Sequence, residues 1–294
     1  MTAETAGPVP PSAIIDAHAH LWNRHRTPQP WIDPEAMQPI DRDFAVADLA
    51  AMQDACGIDG AVLVQSAHSI AETAELLGLI DGARVRGVVG WVDLAGDVAA
   101  TVGSLGGRGA GLVGIRHLAH QDPDDEALLR PERAPGITTL GDLGLALDLV
   151  LRPEQLGQAV RLAESHATTL VLDHLGNPPF GSDAWADWAR DLTALAGHQH
   201  VLAKVSGLGP LDPTACTADG LRPAVDLALE AFGPDRLLFG TDWPVVWLRG
   251  DAPQWAGAAQ TLLDGLSSTD RAAVMGGNAS RVYRLAEVRP VADS

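Results

Sequence analysis

The sequence predicts a single (β/α)8 barrel of the TIM type, an α/β fold. Eight short apolar runs alternate with helical segments along the 294 residues, and this alternation is typical of parallel strands joined by helices. The length suits one closed barrel of eight such units. The main alternative is an open, doubly wound sheet, which is less favoured because no glycine-rich dinucleotide-binding turn follows the first run.

The predicted strands are read from apolar runs, which are typical of strands buried on both faces of a parallel sheet. The first strand opens the stretch 14–22, where Ile14 and Ile15 precede His18 and His20. The other seven predicted strands are 60–65, 85–94, 112–117, 145–151, 170–174, 201–206 and 237–242.

Helices are predicted between the strands from apolar residues at helical spacing and from residues that begin or end helices. Gly57 ends the first helix, Pro153 begins one at its first position, and Asn278 is expected to cap the last. The predicted helices span 42–56, 70–83, 96–106, 138–143, 182–197, 219–232 and 279–286, together with the one that starts at 153. Residues 22–41 form an irregular segment of a length that often marks a functional loop.

The same patterns predict how the chain is organised and where it works. Residues 1–12 are expected to form a flexible N-terminal arm, and 13–294 a single barrel domain. The net charge of −18 argues against nucleic-acid and membrane partners, since both need a basic surface. The two cysteines match no zinc or redox spacing, and no signal peptide or membrane span is evident. We therefore expect a cytoplasmic protein that binds a small molecule; the oligomeric state is left open.

His18 and His20 are the first residues that indicate chemistry. Side chains alternate along a strand, so these two histidines point to the same face. Two imidazoles at the C-terminal end of a strand are well placed to bind a metal ion or to polarise a carbonyl group. The alternative is a pair of hydrogen-bonded core histidines.

Polar residues also end the other predicted strands. In a barrel these strand ends meet at one face, where active sites lie, and so many titratable groups at one face predict an enzyme. The residues at or just beyond the eight ends are Trp22, Gln65, His68, Trp91, Asp93, Arg116, His117, Arg152, His174, Lys204, Ser206, Asp242 and Trp243.

Several of these residues also have structural interpretations. Asp242 could cap the following helix, and His174 could belong to a capped loop. Arg116 and Arg152 could be members of structural ion pairs. Lys204 lies within an apolar strand, where an unpaired ammonium is costly, so we expect it to face the barrel mouth and to meet an anion or a carbonyl group.

Four motifs together resemble the amidohydrolase superfamily, and within it the branch of sugar-acid lactonases and 2-pyrone-4,6-dicarboxylate lactonase. They are His18-Ala-His20, Asp173-His174-Leu175-Gly176, Lys204-Val-Ser206-Gly207 and Phe239-Gly-Thr-Asp242-Trp243-Pro244. The resemblance runs from about residue 13 to 286 and implies a (β/α)8 barrel that hydrolyses a cyclic ester. It also implies that Asp242 is the general base that activates water.

The resemblance further implies that His18, His20 and His174, with Asp242, either polarise the carbonyl group or hold one metal ion. Metal-dependent members of the superfamily have a bridging lysine on strand four and a histidine on strand five. Here strand four ends in Arg116 and His117 and strand five in Leu151 and Arg152. A binuclear centre is therefore not expected, and a single zinc-like divalent ion would be weakly held or absent.

The expected substrate is a sugar-acid lactone, which would place the chain in carbohydrate catabolism. Arg116, Arg152 and Lys204 could instead bind the carboxylates of a pyrone dicarboxylate. The residues expected to contact the substrate are Trp22, Gln65, Arg116, His117, Lys204 and Arg152, and Trp31 could stack on a sugar ring. Two alternatives are a metal-dependent decarboxylase of the same superfamily, acting on an unsaturated or aromatic acid, and a non-catalytic ligand-binding barrel.

Overall fold

Eight parallel strands form one sheet in sequential order in the computed structural model, which describes residues 13–209 and 217–285. The predicted (β/α)8 barrel is confirmed. The expected arm, 1–12, and the chain beyond 285 lie outside the described residues. The strands are β1 (Ile15–Ala19), β2 (Gly60–Val64), β3 (Val85–Gly90), β4 (Leu112–His117), β5 (Ala146–Leu149), β6 (Leu170–Leu172), β7 (Val201–Val205) and β8 (Leu237–Phe239).

The barrel closes just beyond the end of β8. Ala19 pairs in parallel with Trp243, and His20 N–H donates to the Trp243 carbonyl oxygen at 2.7 Å. The backbone N–H of Asp242 donates to the His18 carbonyl oxygen at 2.8 Å. These contacts bring the last strand of the barrel against the first, so residues more than 220 positions apart in sequence become neighbours.

Helices follow the strands at nearly every predicted place. Most of them begin or end a few residues away from the predicted positions, because helix ends fray and are the least well defined part of a helix. The helices are α1 (Val46–Cys56), α2 (Ile70–Leu77), α3 (Val98–Ser104), α4 (Ala134–Asp142), α5 (Leu156–Ser165), α6 (Trp185–Ala196), α7 (Ala218–Phe232), α8 (Ala252–Leu262), α9 (Ser268–Ala272) and α10 (Asn278–Val282). In the described part of the chain no helix is long and apolar enough to cross a bilayer.

One capping prediction was wrong. Asn278 is the first residue of α10 rather than its cap, and its side chain makes no capping hydrogen bond. Its amide nitrogen donates instead to the carbonyl oxygens of Pro234 and Leu237, at 2.7 and 2.8 Å. Asn278 therefore ties the last helix to the start of β8, because two unpaired carbonyl groups there need donors.

The apolar core has two layers. The larger layer packs the outer faces of the strands against the helices. The smaller takes residues from all eight strands, together with Ala279 and Tyr283 near the C-terminal end of the chain, so it must fill the inside of the barrel. Tyr283 is fully buried, and its hydroxyl donates to Asp148 Oδ2 at 2.8 Å. This apolar filling leaves the opposite end of the barrel for polar chemistry.

Helix α4 packs so closely on the loop after β3 that it tolerates only glycine at one position. A Cβ atom on Gly136 would lie 2.1 Å from the Leu94 carbonyl oxygen. We expect Gly136→Ala to lower the free energy of unfolding by about 1–3 kcal/mol, as overpacking of a core does. Gly103→Ala is the matched control, because a Cβ there would meet no atom within 4 Å. Urea denaturation of both variants measures the effect, and equal stabilities would contradict the packing.

Candidate active site

A polar cavity of about 230 Å³ opens at the C-terminal ends of the strands. Four of its lining residues are predicted site residues, His20, Arg116, His174 and Asp242, and a fifth, Trp31, is the tryptophan that could stack on a sugar ring. His18 lies directly behind them and is fully buried. The remaining lining residues are Ser66, Leu118, His120, Gln121, Val150, Asn177, Val245 and Arg249.

Three imidazole rings converge on one oxygen atom, Oδ1 of Asp242. The Nε2 atom of His20 lies 3.4 Å from it, that of His18 3.7 Å and that of His174 3.9 Å. The first two histidines come from β1, His174 follows β6, and Asp242 follows β8. The convergence therefore exists only because the barrel brings these strand ends to one face.

Hydrogen bonds at the far side of two rings orient them. His20 Nδ1 lies 2.7 Å from the Val64 carbonyl oxygen, which only accepts, so this Nδ1 donates and the neutral ring keeps its lone pair on Nε2. His174 Nδ1 lies 3.1 Å from the Ser206 carbonyl oxygen and 2.9 Å from the Ser206 hydroxyl oxygen, and a proton on Nδ1 satisfies both contacts and leaves the lone pair on Nε2. Both lone pairs then face a carboxylate oxygen, an arrangement that a proton or a metal cation between them would stabilise.

The donor set fits a single divalent cation. Ligand atoms from His18, His20 and Asp242 all lie within 4.8 Å of one another. In a tetrahedral zinc site with bonds of about 2.0–2.2 Å, neighbouring ligand atoms are about 3.3–3.6 Å apart, close to the distances found here. Carbonyl oxygens that orient the ligand histidines are also typical of such sites. These residues could therefore hold a metal ion.

Burial and charge set the protonation of these groups. Burial lowers the pKa of His18 well below its usual value, and it also lowers the pKa of His174. Burial alone would raise the pKa of Asp242, but the neighbouring histidines, led by His174, and Arg249 outweigh burial and lower that pKa. Burial thus favours the neutral imidazole at His18 and at His174, and a neutral imidazole is the form that binds a metal ion.

The backbone is strained where it presents two of these side chains. Asp242 has φ 58° and His174 has φ 56°, both in the left-handed region. Non-glycine residues pay about 1–3 kcal/mol for such conformations, which are common at functional sites. Gly207 makes room for both side chains, because a Cβ there would lie 2.5 Å from His174 Nδ1 and 2.8 Å from Asp242 Oδ2.

Lys204 does not line the cavity, contrary to expectation. It is fully buried below His18, with its Nζ atom 2.5 Å from Asp148 Oδ2 and 2.9 Å from Asp173 Oδ1. It does meet anions, as expected of a buried ammonium. However, these are carboxylates of the protein, which stand between Lys204 and any substrate in the cavity.

Four further predicted substrate contacts also lie outside the cavity lining. The fully buried Gln65 accepts from Arg116 Nε at 3.3 Å, and His117 stacks on His68 at 4.6 Å. Burial lowers the pKa of His117 to about 3. Trp22 donates to the Arg42 carbonyl oxygen and lines a separate groove of about 670 Å³.

Arg152 lies at the surface and forms an ion pair, which is the structural role that the sequence offered as the alternative to substrate binding. It pairs with Asp125 and donates to the His120 carbonyl oxygen. The geometry thus gives Arg152 a role in fixing the loop after β4, not a contact with a ligand in the cavity.

Arg249 and Asp173 are the charged residues around Asp242 and His18 that the sequence did not predict as part of the site. Arg249 lies in the loop after β8, seven residues beyond Asp242, and its Nη1 is 3.4 Å from Asp242 Oδ2. Asp173 stands in a quoted motif next to His174 but was given no role. Its Oδ2 accepts from Arg116 Nη1 at 3.1 Å, and its Oδ1 lies 3.2 Å from His18 Nδ1. The signal for Asp173 was its position one residue after an apolar strand.

Comparisons with known proteins agree with this geometry. The sequence is 35% identical to an L-fucono-1,5-lactonase of Burkholderia multivorans, over 93% of this chain and 96% of that protein. It is 29% identical to a 2-pyrone-4,6-dicarboxylate hydrolase of Comamonas testosteroni, over 83% of this chain and 80% of that protein. A crystal structure of an amidohydrolase from Burkholderia multivorans with bound Zn superposes with a TM-score of 0.87 at 32% identity, covering 93% of this chain and all of that one.

The match to a family model is equally extensive. The model described as Amidohydrolase covers residues 15–285, which is almost the whole of the barrel. Together with relatives above 30% identity over more than nine-tenths of the sequence, this match establishes that the chain belongs to the amidohydrolase family.

Proposed function

We propose that this chain is a hydrolase that opens the ring of a sugar-acid lactone of the L-fucono-1,5-lactone type. The convergence of three imidazole Nε2 atoms on Asp242 Oδ1 carries the proposal. Relatives at 35% and 32% identity that are named L-fucono-1,5-lactonase support the choice of reaction.

Asp242 is the proposed general base. Hydrolysis of a lactone requires a base for the attacking water, positive charge near the carbonyl oxygen and a proton for the departing ring oxygen. Asp242 is ionised, lines the cavity and points one oxygen at the histidines. Its carboxylate takes the proton of the attacking water and then returns that proton to the ring oxygen as the ester C–O bond breaks.

A carboxylate with a lowered pKa is a weak base, so water must be made more acidic. His18, His20, His174 and Asp242 would hold one divalent ion, which when bound lowers the pKa of water. The protein's own contribution is to keep the imidazoles neutral and oriented. Val64 and Ser206 do this for His20 and His174 through their carbonyl oxygens.

The charges of the site explain why such an ion would be weakly held. Three carboxylates lie in and below the site, on Asp148, Asp173 and Asp242, and three cationic groups pair with them, on Lys204, Arg116 and Arg249. These six charges pair off, and Asp16, whose pKa burial raises to about 6, is one further buried carboxylate beside His18 and Thr241. A divalent ion would therefore meet little excess negative charge to hold it, but would leave net positive charge where the carbonyl oxygen becomes anionic.

The cavity favours a neutral sugar lactone over a dicarboxylate. Its two lining guanidinium groups are already engaged, Arg116 by Gln65 and Asp173, and Arg249 by Asp242 and the Gly209 carbonyl oxygen. Two substrate carboxylates would need free cations. Ser66, Gln121 and Asn177 supply polar groups for hydroxyls, and about 230 Å³ is small compared with sites for drug-sized ligands.

A panel of lactones tests the proposed function. We expect acid release from six-carbon aldono-1,5-lactones to exceed the spontaneous rate, and 2-pyrone-4,6-dicarboxylate to react more slowly. Dialysis against a chelator should lower turnover, and added Zn²⁺ should restore it. A pH-indicator assay measures the release. Faster hydrolysis of the pyrone would contradict the substrate class, and CO₂ release from an aromatic acid by the metal-loaded protein would identify a decarboxylase instead.

Replacement of Asp242 tests the assignment of the base. We expect Asp242→Asn to lower kcat by about 10²–10⁴-fold, since that is the usual contribution of a general base, while the fold and the binding of the aldonate product persist. Steady-state kinetics and product titration measure the two effects. Asp251→Asn is the control, because Asp251 caps α8 at the surface and asparagine caps equally well. Near-normal turnover in Asp242→Asn would refute the role.

A further inference from the structure

Arg116 lines the cavity and is held on several sides by hydrogen bonds. Its side chain is 5% exposed, and its N–H groups meet three partners. Nε and one Nη2–H donate to the Gln65 side-chain oxygen, and the other Nη2–H donates to the Gln65 carbonyl oxygen. Nη1 lies 3.1 Å from Asp173 Oδ2 and 3.3 Å from His18 Nε2. All five N–H groups of the guanidinium can thus be accounted for, and the planar group has one orientation.

The contact with His18 differs from the others because its acceptor is a ring nitrogen rather than an oxygen atom. A guanidinium only donates, so this contact uses His18 Nε2 as the acceptor, in the tautomer whose ring proton lies on Nδ1. That proton can be donated to Asp173 Oδ1, 3.2 Å from Nδ1. Lys204 Nζ also lies 3.2 Å from Nδ1, and in this tautomer its protons bond to Asp148 and Asp173 instead. The lone pair that Arg116 uses is therefore the same lone pair that a cation beside Asp242 would need.

A cation and Arg116 consequently compete for His18. A metal ion bound to His18 Nε2 leaves one Nη1–H of Arg116 without its acceptor. The other Nη1–H stays on Asp173, and Gln65 keeps the remaining three, so the guanidinium cannot turn away. The released N–H belongs to a residue that lines the cavity close to Asp242.

We propose that Arg116 is a catalytic residue that donates this released N–H to the lactone carbonyl oxygen. This inference rests on the proposed lactonase function and adds a group that function does not assign. As the water oxygen bonds to the carbonyl carbon and Asp242 takes the proton, the carbonyl π electrons move to the oxygen. Arg116 Nη1–H then binds that oxygen as it becomes anionic, and no bond to Arg116 forms or breaks.

The competition between a metal ion and Arg116 for His18 predicts an experimental result that a purely structural role for Arg116 does not predict. Removing the guanidinium frees the His18 lone pair and deletes a positive charge beside the cation site, so Zn²⁺ should bind more tightly. The same change removes a donor for the anionic oxygen, which typically costs about 10²–10³-fold in kcat. Metal affinity and turnover should therefore change in opposite directions.

The experiment compares the wild type with Arg116→Met, Arg116→Lys and Arg84→Met. Arg84 pairs with Asp54 just before β3, at the far end of the barrel, so its variant controls for the loss of one positive charge. We expect Arg116→Met to bind Zn²⁺ at least about threefold more tightly in chelator competition, with kcat about 10²–10³-fold lower. Arg116→Lys should recover part of kcat, and Arg84→Met should match the wild type in both measurements.

A second test needs no variant. It is a crystal structure of the wild type with an aldonolactam, the amide analogue of the lactone, bound in the cavity. The lactam oxygen should lie within hydrogen-bond distance of Arg116 Nη1. An oxygen bound elsewhere would overturn the proposal, as would Arg116→Met that loses both Zn²⁺ affinity and turnover, or that retains kcat. A wild type that hydrolyses no lactone would overturn the lactonase function and this inference together. An active wild type with an active Arg116→Met would overturn the inference alone.

Discussion

The site depends on the closure of the barrel between its last and first strands. The backbone N–H of Asp242 bonds to the His18 carbonyl oxygen, and His20 N–H bonds to that of Trp243. Asp16 adds a second link, since its carboxylate accepts from the backbone N–H of Thr241 at 2.9 Å and also from its hydroxyl. Burial raises the pKa of Asp16 to about 6. This closure sets the distance between the carboxylate of Asp242 and the paired histidines of β1, and the proposed chemistry depends on that distance.

Between the cavity and the apolar residues that fill the other end of the barrel lies a layer of buried charged side chains. Lys204 stands between Asp148 and Asp173, and Asp173 also binds Arg116. Buried ion pairs are costly unless each charge is well paired, and here each carboxylate meets at least one cation. Burial lowers the pKa of His18, Asp173 orients its ring, and the paired charges around it add no net negative charge. This arrangement therefore reconciles a metal-binding geometry with the weak metal retention expected from the sequence.

The barrel, and the strand ends that bring the candidate site residues together, could be predicted because both follow from periodicity. The alternation of apolar runs with helices gives the fold, and the two-residue spacing of His18 and His20 gives their common face. The directions in which individual side chains point, and the positions of residues in loops, could not be predicted from periodicity. Lys204 lies too deep along β7 to reach the cavity. Arg249 lies in the loop after β8, and the path of that loop cannot be predicted from sequence periodicity. Arg152 and His117 stand at strand ends but turn to local partners.

The central claim is that His18, His20, His174 and Asp242 surround one position. Anomalous X-ray diffraction at the zinc edge, from crystals of the protein soaked in Zn²⁺, tests it most directly. We expect a single strong peak in the cavity, within bonding distance of Asp242 Oδ1 and of imidazole Nε2 atoms of this set. A peak bound by other residues, or none at these four at saturating Zn²⁺, would contradict the claim.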